Sequence, residues 1–448
     1  MDISIIETSG LGDRSYLVSH DGTAVVIDPQ RDIDRVLALA AKLGVRITHV
    51  LETHLHNDYV SGGLELSRTV GAEYVVPAGD DVAFERRAVA DGDGIDAGAF
   101  RLTAMHTPGH THHHMSYALH DPAGTVVGVF TGGSMLHGTA GRTDLLGADH
   151  TQTLTHAQYH SVRRLAAELP GDADVYPTHG FGSFCSATPA SGDASTIADE
   201  RRTNPALTQD EQTYVDELLA GLSDYPAYYA HMGGINAQGP APVDMSMPGP
   251  VDPDELRRRI DAGEWVVDLR QRRAFAAGHV CGTLGFELSD SFVTYLGWLL
   301  RWGTPLTLIG TDTDQILDAR RELVRIGVDE IAGAAVGDPS DLGRGELGSY
   351  RVASFEDLAE TLQTEQVAIL DVRQTGEFQQ GHVRGAVNIP LHELVERIHE
   401  VPRTDVWVHC ASGYRSSIAA SIVDRFGGRV VTLVDDDYDN AEKLGLTT

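Results

Sequence analysis

Apolar residues in this chain fall into short runs separated by Gly-, Pro- and Asp-rich turns, a pattern of strands and helices alternating in α/β units. Near the N-terminus, Ser15-Tyr16-Leu17-Val18 and Ala24-Val25-Val26-Ile27 read as strands, the stretch from Asp32 to Leu43 as a helix, and Ile47-Thr48-His49-Val50-Leu51 as a further strand. In the C-terminal half, the apolar strand Val406-Trp407-Val408 leads through a short loop into a helix that includes Ser417-Ile418-Ala419-Ala420. A helix is predicted to start at Ser354, with Asp357 in the capping-box position. Trp298 and Trp302 stand four apart on a predicted helix, a spacing that suits a core or interface stripe. No run is apolar and long enough to span a bilayer.

The pattern breaks from Ala237 to Pro250, where Gly and Pro accumulate and periodicity stops, as expected of a linker. A softer break runs from Gly337 to Gly348. Between and beyond these breaks the chain repeats itself. Val266-Val267-Asp268-Leu269-Arg270-Gln271, Phe275 and Gly278-His279-Val280 match Ile369-Leu370-Asp371-Val372-Arg373-Gln374, Phe378 and Gly381-His382-Val383 at a constant offset of 103 residues. The expected organisation is an N-terminal domain over 1–235, a linker over 236–250, and α/β repeats over 251–345 and 350–448.

Charge removes several function classes. The 34 basic and 65 acidic residues give a net charge of −31, which repels nucleic acid and anionic membranes, so neither is an expected partner. Three cysteines, Cys185, Cys281 and Cys410, are too few and too scattered for a disulfide framework and point to a reducing, cytoplasmic setting. A homo-oligomer is compatible with this composition.

Chemistry is carried first by Cys410-Ala411-Ser412-Gly413-Tyr414-Arg415-Ser416. A Cys between a strand end and a helix N-terminus meets unpaired N–H groups and the positive end of the helix dipole, and Arg415 adds a fixed cation. Four residues separate Cys410 from Arg415, a tighter cradle than a phosphoryl group needs and one suited to a single extra sulfur held as a persulfide. This loop, with Ile369 to Arg373, Glu377-Phe378, Gly381-His382-Val383 and Gly385 to Pro390, resembles the rhodanese sulfurtransferases. The resemblance implies Cys410 as nucleophile and Arg415 as the group that holds the donor's oxyanion, with persulfide, thiosulfate, sulfite or a low-molecular-weight thiol as small-molecule partners. In the first repeat Gly310 aligns with Cys410, and Gly310-Thr311-Asp312-Thr313-Asp314 has neither Cys nor Arg, so that repeat is expected to pack or dock.

A second chemistry lies in the N-terminal domain. After the strand ending at Leu51 come His54-Leu55-His56-Asn57-Asp58-Tyr59, then His106-Thr107-Pro108-Gly109-His110 and Tyr176-Pro177-Thr178-His179-Gly180. Histidines recurring at loop tips after strands form a metal-ligand pattern. These spacings resemble the metallo-β-lactamase superfamily over roughly the first 235 residues, which implies an αββα sandwich. Gly141-Arg142-Thr143-Asp144 and the sulfurtransferase attachment resemble its persulfide dioxygenase branch. The resemblance implies metal ligands among His54, His56, Asp58, His110 and His179.

Two positions depart from that family. Tyr59 stands where a histidine is usual, and Gly133 in Phe130-Thr131-Gly132-Gly133 stands where the aspartate ligand belongs. A trio of His54, His56 and His110 could still hold one divalent ion, Fe(II) ahead of Zn(II), whereas the missing carboxylate leaves a metal-free domain open. Asp58 and His179 alone make a poor second site. His112-His113-His114 could offer a replacement ligand, and Cys185 is expected to pack against the pocket. The expectation is an enzyme of sulfur metabolism and sulfide detoxification, a sulfurtransferase joined to a persulfide dioxygenase-like domain. The alternatives are a metallohydrolase of the glyoxalase II type, and a non-catalytic N-terminal module beside an active Cys410.

Overall fold

The computed structural model describes all of the chain except residues 189, 191, 345, 346 and 428. It forms two compact units: Met1–Asp244 with Leu323–Val328, and Met245–Glu322 with Asp329–Thr448.

The first unit is built on two sheets. Strands Asp2–Thr8, Asp13–His20, Thr23–Ile27, Arg46–Leu51, Glu73–Pro77 and Arg87–Val89 make a six-stranded sheet in that order. Strands Asp174–Pro177, Val126–Gly132, Met115–His120, Arg101–His106 and Gly94–Asp96 make a five-stranded one. Alternation along a strand explains the layering, because successive side chains point to opposite faces. Tyr16 and Val18 enter the core between the sheets with Leu102, Tyr117 and Phe130. Leu17, one position between them, packs outward with Val26 and Val50 against Val36 and Ala40 of the helix Asp34–Leu43 and Leu64 of the helix Gly63–Val70. On the far side, Val129 and Ala118 meet Tyr159, Val162 and Leu165 of the helix Ala148–Glu168. Helix, sheet, sheet, helix is the αββα sandwich expected, and its candidate metal ligands follow the C-terminal ends of three strands, Arg46–Leu51, Arg101–His106 and Asp174–Pro177.

The second unit contains two parallel sheets. One runs in the order Leu284–Gly285, Trp265–Asp268, Leu306–Gly310, Ile331–Val336. The other runs Val387–Asn388, Ala368–Asp371, Val406–His409, Val431–Val434, Arg351–Ala353. The strand order is the same apart from the added edge strand, so the sequence repeat is also a repeat of topology. The central strands Trp265–Asp268 and Val406–His409 are buried throughout, as parallel strands covered on both faces must be. Ser354 and Asp357 form the predicted capping box.

One predicted helix is shorter than its spacing suggested. The helix Phe292–Leu299 ends before Trp302, since Leu300 is already extended and Gly303 takes a φ of 77°, so Trp298 is buried while Trp302 is 42% exposed. Among the described residues, no helix is long and apolar enough to cross a membrane.

Candidate metal centre and sulfur-transfer loop

His54, His56, His110 and His179 are all fully buried at one end of the sandwich. The structure brings His54, His110 and His179 together, with one ring nitrogen of each within 4.8 Å of the others. The Nε2 atoms of His54 and His179 are 3.4 Å apart. His56 groups instead with Asp58 and His179, and separately with Asp28 and Glu52. Among the described residues, His110 Nε2, His56 Nδ1 and both Asp58 oxygens are buried without a hydrogen-bond partner. Such a concentration of buried lone pairs suits a cation.

Residues outside the predicted set position the cluster. Asp28, in the left-handed region with a φ of 50°, ends the strand Thr23–Ile27, and its carboxylate accepts from Thr53 N (2.7 Å), Thr53 Oγ1 (2.8 Å) and the Thr178 hydroxyl. It thereby ties the His54 loop to the His179 loop. His179 Nδ1 lies 2.9 Å from Asp13 Oδ1 and 3.1 Å from Asp58 Oδ2. Burial alone would lower His179, but the two carboxylates outweigh it and raise its pKa well above the usual value. His110 has no such partner, and burial followed by the His179 charge pushes it down to about 3.

Tyr59 accounts for the altered half of the site. Its ring stacks on His56 at 4.2 Å, and its hydroxyl lies 3.0 Å from His56 Nε2. The same nitrogen is 3.2 Å from Glu52 and 3.3 Å from Asp28. Burial disfavours the His56 cation, yet Asp28 and Glu52 raise its pKa to about 9. The phenol and two carboxylates therefore claim the face of His56 that holds this nitrogen.

Other sequence candidates resolve clearly. His114 is buried with Nδ1 2.9 Å from Thr107 Oγ1, and its Nε2 accepts from Gly133 N at 3.0 Å, so both nitrogens are engaged in the protein. His112 pairs with His150 at 3.1 Å on the surface. A Cβ on Gly133 would lie 2.2 Å from His110 Cδ2, so the His110 ring occupies the space into which a side chain there would project. Arg142 of the Gly-Arg-Thr-Asp segment is buried and paired with Asp144, and its carbonyl receives His110 Nδ1 at 2.7 Å. Cys185 is fully buried near Asp58; burial, then the charges of Asp58 and Asp13, raises its thiol well above the usual range, which fits a packing role.

The second unit carries the candidate nucleophile loop. Cys410 follows the strand Val406–His409 and is 2% exposed, and the helix Tyr414–Gly427 begins four residues later. Its Sγ lies 3.5 Å from Ser416 Oγ, which donates to the carbonyls of Gly413 and Val434. Gly413, at a φ of 89°, cannot be replaced, since a Cβ there would lie 2.0 Å from Asp435 Oδ1. Arg415 forms a two-pronged ion pair with Glu377 at 2.5 and 2.8 Å, a partner the sequence analysis left unassigned. The cleft beside Arg415 is lined by Tyr295 and Trp298 from the Cys-less repeat and by Leu391 and His392, with Trp298 stacked on His392 at 5.0 Å. The Cys-less repeat is thus part of the pocket wall. Cys281 is half-buried in its turn.

Comparisons with known proteins agree with both halves. A metallo-beta-lactamase superfamily profile matches residues 11–179, and a rhodanese-like domain profile matches residues 354–443. The human mitochondrial persulfide dioxygenase ETHE1 is 30% identical over 248 residues, covering 55% of this chain and 83% of that protein. A hydroxyacylglutathione hydrolase from Polaromonas is 28% identical over 241 residues, covering 47% of this chain and 87% of that one. A crystal structure of a metallo-beta-lactamase from Staphylococcus aureus superposes with a TM-score of 0.68 at 29% identity, covering 75% of this chain and 99% of that chain. The chain belongs to the persulfide dioxygenase-like metallo-β-lactamase proteins, and carries a rhodanese-like domain at its C-terminus.

Proposed function

We propose that this protein oxidises low-molecular-weight persulfides in its N-terminal domain and moves sulfane sulfur through Cys410 in its C-terminal domain. In the first reaction a persulfide, O₂ and water give the thiol and sulfite, RSSH + O₂ + H₂O → RSH + SO₃²⁻ + 2 H⁺. The four electrons that reduce O₂ come from the persulfide's outer sulfur, and a bound divalent metal, ferrous iron by the family's chemistry, would supply the redox-active position for their transfer. His54, His110 and His179 are the residues that would hold it, with Asp13, Thr53 and the Arg142 carbonyl orienting them.

In the second reaction the Cys410 thiolate attacks the outer sulfur of a persulfide, forming a Cys410 persulfide and releasing the thiol. Sulfite then attacks the outer sulfur, leaving thiosulfate and the free thiolate. The donor's organic part would lie against the narrow cleft at Arg415, walled by Tyr295, Trp298 and His392. The observation that carries the reading is the joint presence of a metal-ligand cluster in a persulfide dioxygenase relative and a rhodanese-like domain with an intact nucleophile loop.

Oxygen uptake with glutathione persulfide is expected for the wild type and for Cys410→Ser, and not for His110→Ala. Uptake that survives His110→Ala, or is absent throughout, overturns the oxidation. Thiosulfate-to-cyanide transfer should vanish in Cys410→Ser alone. A hydrolase of the hydroxyacylglutathione type is the second reading, favoured by that relative, but Tyr59 and Gly133 remove two residues on which a two-metal site depends.

A further inference from the structure

We infer that the N-terminal centre is a one-metal site held by three imidazoles, with His179 standing in for the carboxylate that Gly133 does not provide. The inference concerns the centre proposed above for persulfide oxidation and rests on that reading only for the identity of the sulfur ligand.

Hydrogen bonding fixes the tautomers. Thr53 Oγ1 gives its single proton to Asp28 Oδ2 at 2.8 Å, so its 2.9 Å contact with His54 Nδ1 has the imidazole N–H as donor. His110 Nδ1 faces the Arg142 carbonyl at 2.7 Å, an acceptor only. His179 Nδ1 faces the Asp13 carboxylate at 2.9 Å with Asp58 behind it. All three rings therefore spend Nδ1–H on the protein and turn Nε2 inward. His110 Nε2 has no partner, and the Nε2 atoms of His54 and His179 stand 3.4 Å apart. His54 and His179 share one proton across this 3.4 Å contact, the place a cation would take among the three converging nitrogens, and a backing acceptor on the far nitrogen is the usual support of a metal-bound histidine.

The rival trio, His56, Asp58 and His179, is weaker on the same grounds. His179 belongs to both groups, but its Nδ1 is engaged by Asp13, which leaves Nε2, the atom 3.4 Å from His54 Nε2, to face an ion. His56 Nδ1 and the Asp58 oxygens remain as acceptors at the border of the site, and Tyr59 occupies the other nitrogen of His56. Gly133 belongs to the same arrangement, because His110 leans into the volume above its Cα. A neutral three-imidazole set leaves the ion's positive charge uncompensated by its direct ligands, so the open position favours an anionic sulfur ligand over a neutral thioester.

The test is metal binding by the full-length protein, read as Co(II) stoichiometry and affinity from its visible absorption and as iron content after anaerobic reconstitution. Circular dichroism melting confirms that each variant is folded. Wild type should bind one ion per chain. His54→Ala, His110→Ala and His179→Gln should each weaken binding by about tenfold or more, whereas His56→Ala should stay within a few-fold of wild type. Gly133→Asp should weaken binding by displacing His110. Two ions per chain, loss in His56→Ala equal to that in His110→Ala, wild-type affinity in His179→Gln, or tighter binding in Gly133→Asp would each overturn the assignment. A protein that binds one ion in this manner yet consumes no oxygen would leave the ligand set standing and remove the oxidation.

Discussion

The two α/β repeats of the second unit share a set of contacts at closely matching distances and differ in the loop that follows the equivalent strand. Asp268 and Arg270 pair at 2.7 Å, as do Asp371 and Arg373. Each arginine donates onward to a glycine carbonyl, Gly278 at 2.9 Å and Gly381 at 2.7 Å. Phe275 stacks on His279 at 4.1 Å and Phe378 on His382 at 3.8 Å, and each histidine places Nδ1 against the same phenylalanine's carbonyl. The frame is thus set by an Asp-x-Arg pair and a Phe-His stack, and it survives without a nucleophile.

What differs is the loop after the equivalent strand. Cys410 Sγ faces the small Ser416 hydroxyl at 3.5 Å. After Gly310 the loop is held instead by Gln315: its side-chain oxygen accepts from Thr311 N at 2.8 Å, and its amide donates to the Leu269 carbonyl at 3.1 Å. The loop of the first repeat is therefore tied to Gln315 as well as lacking a cysteine. Its helix Phe292–Leu299 instead supplies Tyr295 and Trp298 to the cleft beside Arg415, so the copy without a cysteine shapes the surroundings of the copy that has one.

The largest effect that would break this contrast is chemical. Cys410→Ser should reduce thiosulfate-to-cyanide transfer to background, and adding Gly310→Cys to that variant should restore none of it, because Gln315 still holds the first loop; recovery of activity would show that loop to be open. Next in size is the frame. Arg373→Ala leaves Asp371 buried without its partner and should cost about 3 kcal/mol or more. Arg270→Ala should cost a similar amount through Asp268, and denaturant unfolding of both variants checks the parity.

Smaller still is the effect of Glu377→Gln, which frees Arg415 and should lower the KM for thiosulfate several-fold with little change in kcat. Burial pushes the Glu377 carboxyl up, but Arg415 outweighs burial and holds it below 4.5, its ordinary value. A carboxylate depressed on folding stabilises the protein above its ordinary range and loses that contribution as pH falls through its folded value. The melting-temperature difference between wild type and Glu377→Gln should therefore stay level from pH 8 to 5 and shrink only in stronger acid. Least of all, Trp298→Ala should raise the KM for an organic persulfide a few-fold and leave the KM for thiosulfate nearly unchanged.

Much of this was legible in the sequence where a local pattern carries the information. The run Ser15 to Val18 gave a strand, Ser354 and Asp357 the cap, and the offset between Asp268 and Asp371 the repeat, while the layers of the sandwich came from the family resemblance. The candidate site was legible as a set of residues and less so as a set of partnerships. That His56 turns to Asp28, Glu52 and Tyr59 while His179 turns to His54 depends on side-chain directions fixed by loops far apart in the chain. Asp13, Thr53 and Glu377 were missed for the same reason, since a polar residue at the start of a strand or helix looks like any cap until its partner is placed. The Trp298 and Trp302 spacing misled because four-residue intervals do not register where the helix stops.

The contact between His110 and the face of Gly133 makes two ligands compete for one volume. A carboxylate introduced at that position meets an imidazole already leaning into its place, so gaining the one requires moving the other, and substitutions at the two positions are coupled rather than additive.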